Sequence, residues 1–317
     1  MSDIPKSISI QEEGPREGFQ IEPGPISTAD KVRFIEALAG SGLHHIQCVS
    51  FVDPKRVPGM ADSEEVAKQI KRRDGVQYTG LWLNLRGFER AVKTSLDIAG
   101  SMQMSASETF SVKNTGKNRE QTLHEQRRLL DFYRINNVKV ETAIVMTAFG
   151  CNFEGAVDPG TVRDCVATIL DLAGEFGITL KRMRLADTVG WANPNSIARV
   201  VGTLRERWPD LPLTLHLHDT RGAAMANALM GLQMGVDSFD SSCAGLGGCP
   251  FAGHKAAAGN ICTEDLVYMC EEMGIKTGVN LDALIECARM AESIVGHPLP
   301  GKIMHAGSLS RFRPSVT

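Results

Sequence analysis

No stretch of the sequence stays apolar for the roughly 18 residues that a membrane-spanning helix requires. The opening Met1-Ser-Asp-Ile-Pro-Lys6 has neither the basic nor the apolar region of a secretory signal. The expectation is a cytoplasmic protein with no membrane partner. Cys-x-x-Cys spacing is missing as well. The eight cysteines, at positions 48, 151, 165, 243, 249, 262, 270 and 287, are scattered. A zinc ribbon and a disulfide scaffold are therefore not expected, and most of the thiols should be reduced and buried. Positive charge is not in excess: 34 Lys and Arg against 37 Asp and Glu give a net charge of −3, which leaves no basic footprint for nucleic acid. Low-complexity segments and charge blocks are also lacking, so residues 1–317 read as one domain. The 43% hydrophobic and 22% charged content is that of a globular chain able to bury a core.

What is present is a repeated order of strand and helix. Ser7 to Glu12 alternates as a strand and ends in the turn-forming Glu13-Gly-Pro-Arg-Glu-Gly-Phe-Gln20. Ser27-Thr-Ala-Asp30 then starts a helix that Gly40 stops. The order returns with His45 to Phe51 and a helix from Asp62 or Ser63 to about Arg73, then with Tyr78 to Leu85 and Phe88 to Ala99. Met102 to Ala106 leads into a loop with Ser107 to Phe110 and Lys113-Asn114, and a polar helix runs on to about Arg134. Val138 to Met146 is followed by a helix from Gly160 to Phe176. Leu180 to Ala186, Leu213 to His218 and a short strand around Ser238 complete eight units. Alternation of this kind implies parallel pairing, and eight units favour a closed (β/α)8 TIM barrel with extra C-terminal helices, at Thr263 to Met273 and Leu281 to Val295. An open doubly wound α/β sheet is the alternative. The basic tail, 301–317, is either a flexible end or a cover over the active face.

A parallel barrel gathers its chemistry at the C-terminal ends of its strands. That rule selects Arg16 and Glu17 after the first strand, Gln47 in the second, Glu108 and Asn114 after the fourth and Asp187 after the sixth. From the last two strands it takes His216, His218, Cys249 and Asn260. His216 and His218 are two apart on a strand, so their imidazoles face one way. With one carboxylate and an amide oxygen they form a donor set suited to Mg²⁺ or Mn²⁺, with Zn²⁺ possible, and with open positions for water or substrate. Blander readings stand beside these. Arg16 and Glu17 make a surface ion pair, Asp187 starts a plain turn, Cys249 is a small buried hydrophobe, or Gln47 satisfies backbone groups.

Gly14-Pro-Arg-Glu-Gly-Phe-Gln20, Ser50-Phe-Val-Asp-Pro-Lys55, Ser107-Glu-Thr-Phe-Ser-Val-Lys-Asn114 and Asp187-Thr-Val-Gly190 resemble the hydroxymethylglutaryl-CoA lyase family. So do His216-Leu-His-Asp-Thr220, Ala244-Gly-Leu-Gly-Gly-Cys-Pro250 and Gly259-Asn260 with Thr263 to Met269. The resemblance covers nearly the whole chain. It implies a (β/α)8 metallolyase with Glu17, His216, His218 and Asn260 at the metal-ligand positions. Arg16, Asp187, His216 and Cys249 would fall in catalytic roles, and Gln20, Gln47, Glu108, Asn114 and Arg184 are the candidate substrate contacts.

The chain departs from that pattern at several points. The lyases usually carry Asp at the position of Glu17, although the similar homocitrate synthases have Arg-Glu-Gly, and they carry Glu at the position of Gln47. They have smaller residues at Arg184 and Trp191 and a shorter loop between Cys249 and Asn260. A cation at Arg184 with a neutral amide at Gln47 is expected to favour another anionic acyl group. The implied reaction is retro-Claisen cleavage of a 3-hydroxy-3-methylglutaryl-CoA-like thioester to acetyl-CoA and a keto acid, by a protein that is a homo-oligomer, a dimer by resemblance. A condensing synthase of the same superfamily and a non-catalytic barrel that binds metal or acyl-CoA are the alternatives.

Overall fold

The computed structural model describes residues 4–248 and 259–313. Its eight-stranded sheet is parallel throughout. The strands are β1 (Ser9–Glu12), β2 (His45–Ser50), β3 (Gln77–Leu81), β4 (Gly100–Ser105), β5 (Val140–Met146), β6 (Arg182–Ala186), β7 (Leu213–His216) and β8 (Ser238–Ser241). The pairing order is β3-β2-β1-β8-β7-β6-β5-β4, so β1 is flanked by β2 and β8. The chain adopts the α/β TIM-barrel fold. Among the described residues no backbone ladder joins β3 to β4. The seam there is crossed by Asp97, whose carboxylate accepts from the Tyr78 N–H at 2.8 Å and whose own N–H donates to the Tyr78 carbonyl at 2.8 Å. Trp82 Nε1 adds a bond to Tyr133 Oη at 2.5 Å.

The helices have the termini that the sequence signals. Ser27 caps α1 (Thr28–Gly40) by accepting from the Asp30 N–H at 3.0 Å. Others are α2 (Ser63–Gln69), α3 (Leu85–Ala91), α4 (Arg119–Ile135) and α5 (Pro159–Glu175). The units after the sixth and seventh strands, for which the sequence offered no bounds, carry α6 (Pro194–Arg207) and α7 (Ala224–Gln233). Pro194 opens α6 behind a reciprocal cap between Asn193 and Ser196. Helix α8 (Thr263–Glu272) follows β8 and completes the eighth unit, and α9 (Leu281–Val295) is an extra C-terminal helix.

Some bounds differ from expectation. The helix expected from Phe88 to Ala99 starts at Leu85, where Asn84 caps it, and ends at Ala91, because Asp97 is needed at the seam. The supposed loop after β4 is a helix over Glu108–Thr115, capped by Ser107 and closed by Gly116 at φ +74°. The seventh strand stops at His216, and His218 leaves the parallel ladder for an antiparallel bridge to Asn260. A two-residue hairpin, Gly150–Cys151 with Gly155–Ala156, stands after β5.

The main core cluster runs from Ile8 to Met304 between the sheet and the helices, and Phe110, Cys151 and Val189 form a small second cluster. The tail is docked as far as Arg313: Lys302 and Ile303 donate backbone N–H groups to Asp265 of α8, Ser308 bonds Asp282 of α9, and Arg313 pairs with Glu272.

Candidate metal centre

The polypeptide leaving β1 winds into one π-helical turn, Gly14–Gly18, in which the Phe19 N–H reaches the Gly14 carbonyl. This turn carries Arg16 and Glu17 over the barrel mouth. It can sit close to the segment after β8 because Gly18 has no side chain: a β-carbon there would lie 2.6 Å from Leu246 Cβ. Glu12, buried at the end of β1, fastens the two. Its Oε1 accepts from the N–H groups of Gly14 and Cys243, both at 2.8 Å, and its Oε2 accepts from Thr263 Oγ1 at 2.6 Å.

Glu17, His216 and His218 bring donor atoms within 4.8 Å of one another. His218 Nε2 lies 3.1 Å from Glu17 Oε1 and 3.2 Å from His216 Nε2, while Asn260 Nδ2 is 2.9 Å from the same Glu17 oxygen. Thus four side chains from three separate parts of the chain converge on one point. Burial opposes ionisation of Glu17, but the Arg16 guanidinium and the His218 hydrogen bond outweigh it and hold the carboxyl well below its ordinary value. His216 is raised: burial disfavours its charge, and the hydrogen bond to Asp240 together with the Glu17 carboxylate overcomes that.

Two imidazole nitrogens 3.2 Å apart beside a carboxylate cannot all be satisfied by one another's protons. Buried Asn260 Oδ1 is left without a partner, and so is His218 Nδ1. Convergent lone pairs, an idle amide oxygen and a mixed oxygen and nitrogen donor set fit a divalent cation. His216 Nδ1, turned away from the cluster, is 3.1 Å from Asp240 Oδ2.

Arg16 lies between Glu13, Glu17 and Gln47. It pairs with Glu13, donates Nε to Gln47 Oε1, and gives Nη1 to Glu17 Oε2 at 2.9 Å. The reading of Arg16 and Glu17 as a surface ion pair fails, since both are held in this cluster. Asp187 follows β6, and its N–H donates to the His216 carbonyl at 2.8 Å. Its Oδ1 accepts from the N–H groups of Trp191 at 2.7 Å and Ala192 at 2.9 Å, and its buried Oδ2 has no partner. Burial, against those hydrogen bonds and the two histidines, pushes the Asp187 carboxyl up to about 6.

The remaining predicted positions diverge. Gln20 is half-buried with Oε1 unpartnered. Glu108 and Asn114 are exposed on the helix that follows β4, and among the described residues neither bonds to the cluster. Arg184 sits below the mouth, where its guanidinium pairs with Asp240 and donates to Gln11 Oε1 at 3.0 Å. Its charge is thereby spent inside the protein, so the expectation of a spare cation for an acyl anion loses its basis. Cys249 lies outside the described residues.

Sequence reasoning missed Gln11, Glu13 and Asp240. The signal was there: Gln11 and Glu13 share one face at strand period, and Asp240 is a lone charge in an otherwise uncharged β8.

Comparison with known proteins agrees with the geometry. The HMGL-like family model matches residues 7–291. The chain is 41% identical over 298 residues to hydroxymethylglutaryl-CoA lyase YngG of Bacillus subtilis, covering 94% of this chain and 96% of that protein. Among solved structures, the Bacillus subtilis HMG-CoA lyase superposes with a TM-score of 0.87 at 40% identity, covering 96% of this chain and 98% of the other. An HMG-CoA lyase from Acinetobacter baumannii, in complex with coenzyme A and 3-methylmalate, superposes with a TM-score of 0.86 at 37% identity and covers 98% of each chain. With a model match across most of its length and relatives this similar, the chain belongs to the HMGL-like family.

Proposed function

We propose that the protein is a divalent-metal-dependent carbon–carbon lyase that cleaves 3-hydroxy-3-methylglutaryl-CoA, or a close acyl-CoA analogue, to acetyl-CoA and a keto acid, acetoacetate for the parent substrate. The observation that carries this reading is the convergence of Glu17, His216 and His218, with the Asn260 amide beside them, in a chain of this family. These four side chains would hold the ion, Mg²⁺ or Mn²⁺ in preference to Zn²⁺. Bound there, it would supply Lewis-acid polarisation to the substrate's oxygen groups.

The protein's own groups account for the proton movements. Asp187, with one oxygen pinned by two N–H groups, the other idle, and a carboxyl near 6, is suited to accept the hydroxyl proton at neutral pH. As the C2–C3 bond breaks, its electron pair passes into the thioester enolate, and Arg16, carried over the mouth between Glu13 and Glu17, is the cation assigned to the developing oxyanion. The proton the enolate carbon then needs is assigned to Cys249, a role that rests on the family resemblance alone. A homodimer is proposed on the same basis. A cytoplasmic setting is supported by the seven described cysteines, all free, and a single domain by the main core cluster, which runs from Ile8 to Met304.

The test is release of acetyl-CoA from 3-hydroxy-3-methylglutaryl-CoA and a panel of related 3-hydroxyacyl thioesters in the presence of Mn²⁺ or Mg²⁺. Arg16→Gln is expected to lower kcat by on the order of 100-fold or more while Mn²⁺ still binds. Failure to cleave any thioester of the panel would remove the lyase reading, and near-wild-type turnover by R16Q would remove Arg16 from it.

A further inference from the structure

Beneath the metal centre, Gln11, Glu13, Arg184 and Asp240, which the chemistry above does not use, close a ring with Arg16, Glu17 and His216. Arg16 pairs with Glu13, Gln11 donates its amide N–H to Glu13, and Gln11 Oε1 accepts from Arg184 Nη2 at 3.0 Å. Arg184 pairs with Asp240, and Asp240 Oδ2 meets His216 Nδ1 at 3.1 Å. His216 Nε2 lies 3.9 Å from Glu17 Oε2, which accepts from Arg16 at 2.9 Å. Strands β1 and β6 are separated in the sheet by β8 and β7, so the contact between Gln11 and Arg184 spans the barrel interior.

An imidazole that offers Nε2 to a cation carries its proton on Nδ1, and the group that accepts this proton sets the plane of the ring. For His216 that group is Asp240. A carboxylate held only by the imidazole it orients is free to swing about its own side-chain torsion. Here Arg184 pairs through Nε with the same Oδ2 that meets His216 Nδ1, while its Nη2 donates to Gln11, so one planar guanidinium ties the carboxylate to a fixed neighbour. Gln11 links it through Glu13 to Arg16.

We propose that Arg184 is a positioning residue, which clamps Asp240 from below, fixes the orientation of the His216 ring toward the ion, and through Gln11 and Glu13 shares that frame with Arg16. The inference rests on the metal-centre reading above. Its test is titration of the metal-free, full-length protein with Mn²⁺, read by the electron paramagnetic resonance signal of free Mn²⁺, which needs no substrate. Arg184→Gln is expected to weaken Mn²⁺ binding by roughly 10- to 100-fold, the usual cost of removing a group that supports a metal ligand, and to lower kcat more than it raises KM. Arg184→Lys keeps a cation for Asp240 but lacks the second donor that reaches Gln11, so its affinity should fall between R184Q and wild type. Wild-type Mn²⁺ affinity in R184Q, or in R184K where R184Q does not fold, overturns the positioning role alone. Absence of Mn²⁺ binding by the wild-type protein overturns the metal centre and this inference together.

Discussion

Gly247 shows how little room the centre leaves. Its backbone lies at φ +100°, and a β-carbon there would stand 2.7 Å from Asn260 Nδ2 and 3.3 Å from Glu17 Cγ. Gly247→Ala should therefore displace Asn260 or Glu17 and weaken Mn²⁺ binding at least severalfold; unchanged affinity in the same titration would contradict the packing described. Glu264 matters for a different reason. It is buried with one oxygen accepting from the Ala244 N–H at 2.9 Å and the other unpartnered, and burial pushes its carboxyl from 4.5 up to about 8. Glu12 is likewise pushed up to about 7, despite three hydrogen bonds. A carboxyl raised in this way binds a proton in the native protein that the unfolded chain has released, so stability falls as pH rises from 4.5 toward the folded value. His45, which burial holds near 4, acts in the opposite sense, but only below 6.5. Urea midpoints of the metal-free protein should thus decline between pH 6.5 and 8, and Glu264→Gln, which keeps an acceptor for Ala244, should flatten the upper part of that decline. At this scale the residues that present lone pairs at strand ends were readable from spacing. Gln11, Glu13 and Asp240 left only a shared face and a lone charge as signals, and these do not tell a barrel interior from water until the partner strands are known.

Elements were legible where a cap and a period agreed, as for α1 and α9. They were misread where a short segment carried caps without a clear apolar period. Ser107 before and Gly116 after are the ordinary bounds of a helix, yet Glu108–Thr115 has its buried positions only at Phe110 and Ser111, too few to show a stripe. Ser107 accepts from the Phe110 N–H and from the Cys151 thiol, both at 3.1 Å, which joins this helix to the hairpin after β5. Ser107→Ala should cost about 1 kcal/mol through the lost cap, read as a lowered denaturation midpoint. No change would mean that the helix is held by its neighbours alone. The early end of β7 has a physical origin in the same vein. Alternation continues through His218, but the strand's partner past His216 is Asn260, running the other way. No rule of periodicity within one strand can report what lies beside it.

For the molecule as a whole, the candidate ligands come from the turn after β1, from β7 and the residues just beyond it, and from the segment following β8. An ion held there crosslinks Glu17 to His218, 201 residues further along the chain, and to Asn260, 243 residues further. Saturating Mn²⁺, about 100 times its Kd, should stabilise the protein by about 2.7 kcal/mol, and chelation should remove that gain; a midpoint indifferent to both would show that the four side chains hold nothing. The barrel's incomplete closure bears on where such a body yields. In the pairing order, β1, β8 and β7 stand in the middle of the ladder, and the edge strands β3 and β4 stand at its two ends. Thermal opening should start where Asp97 and the contact between Trp82 and Tyr133, and no strand ladder among the described residues, bridge the wall. Amide protons along β3 and β4 are then expected to exchange with deuterium ahead of those in β8. The wall can gape on one flank while the ion's anchorage on the opposite flank keeps its shape.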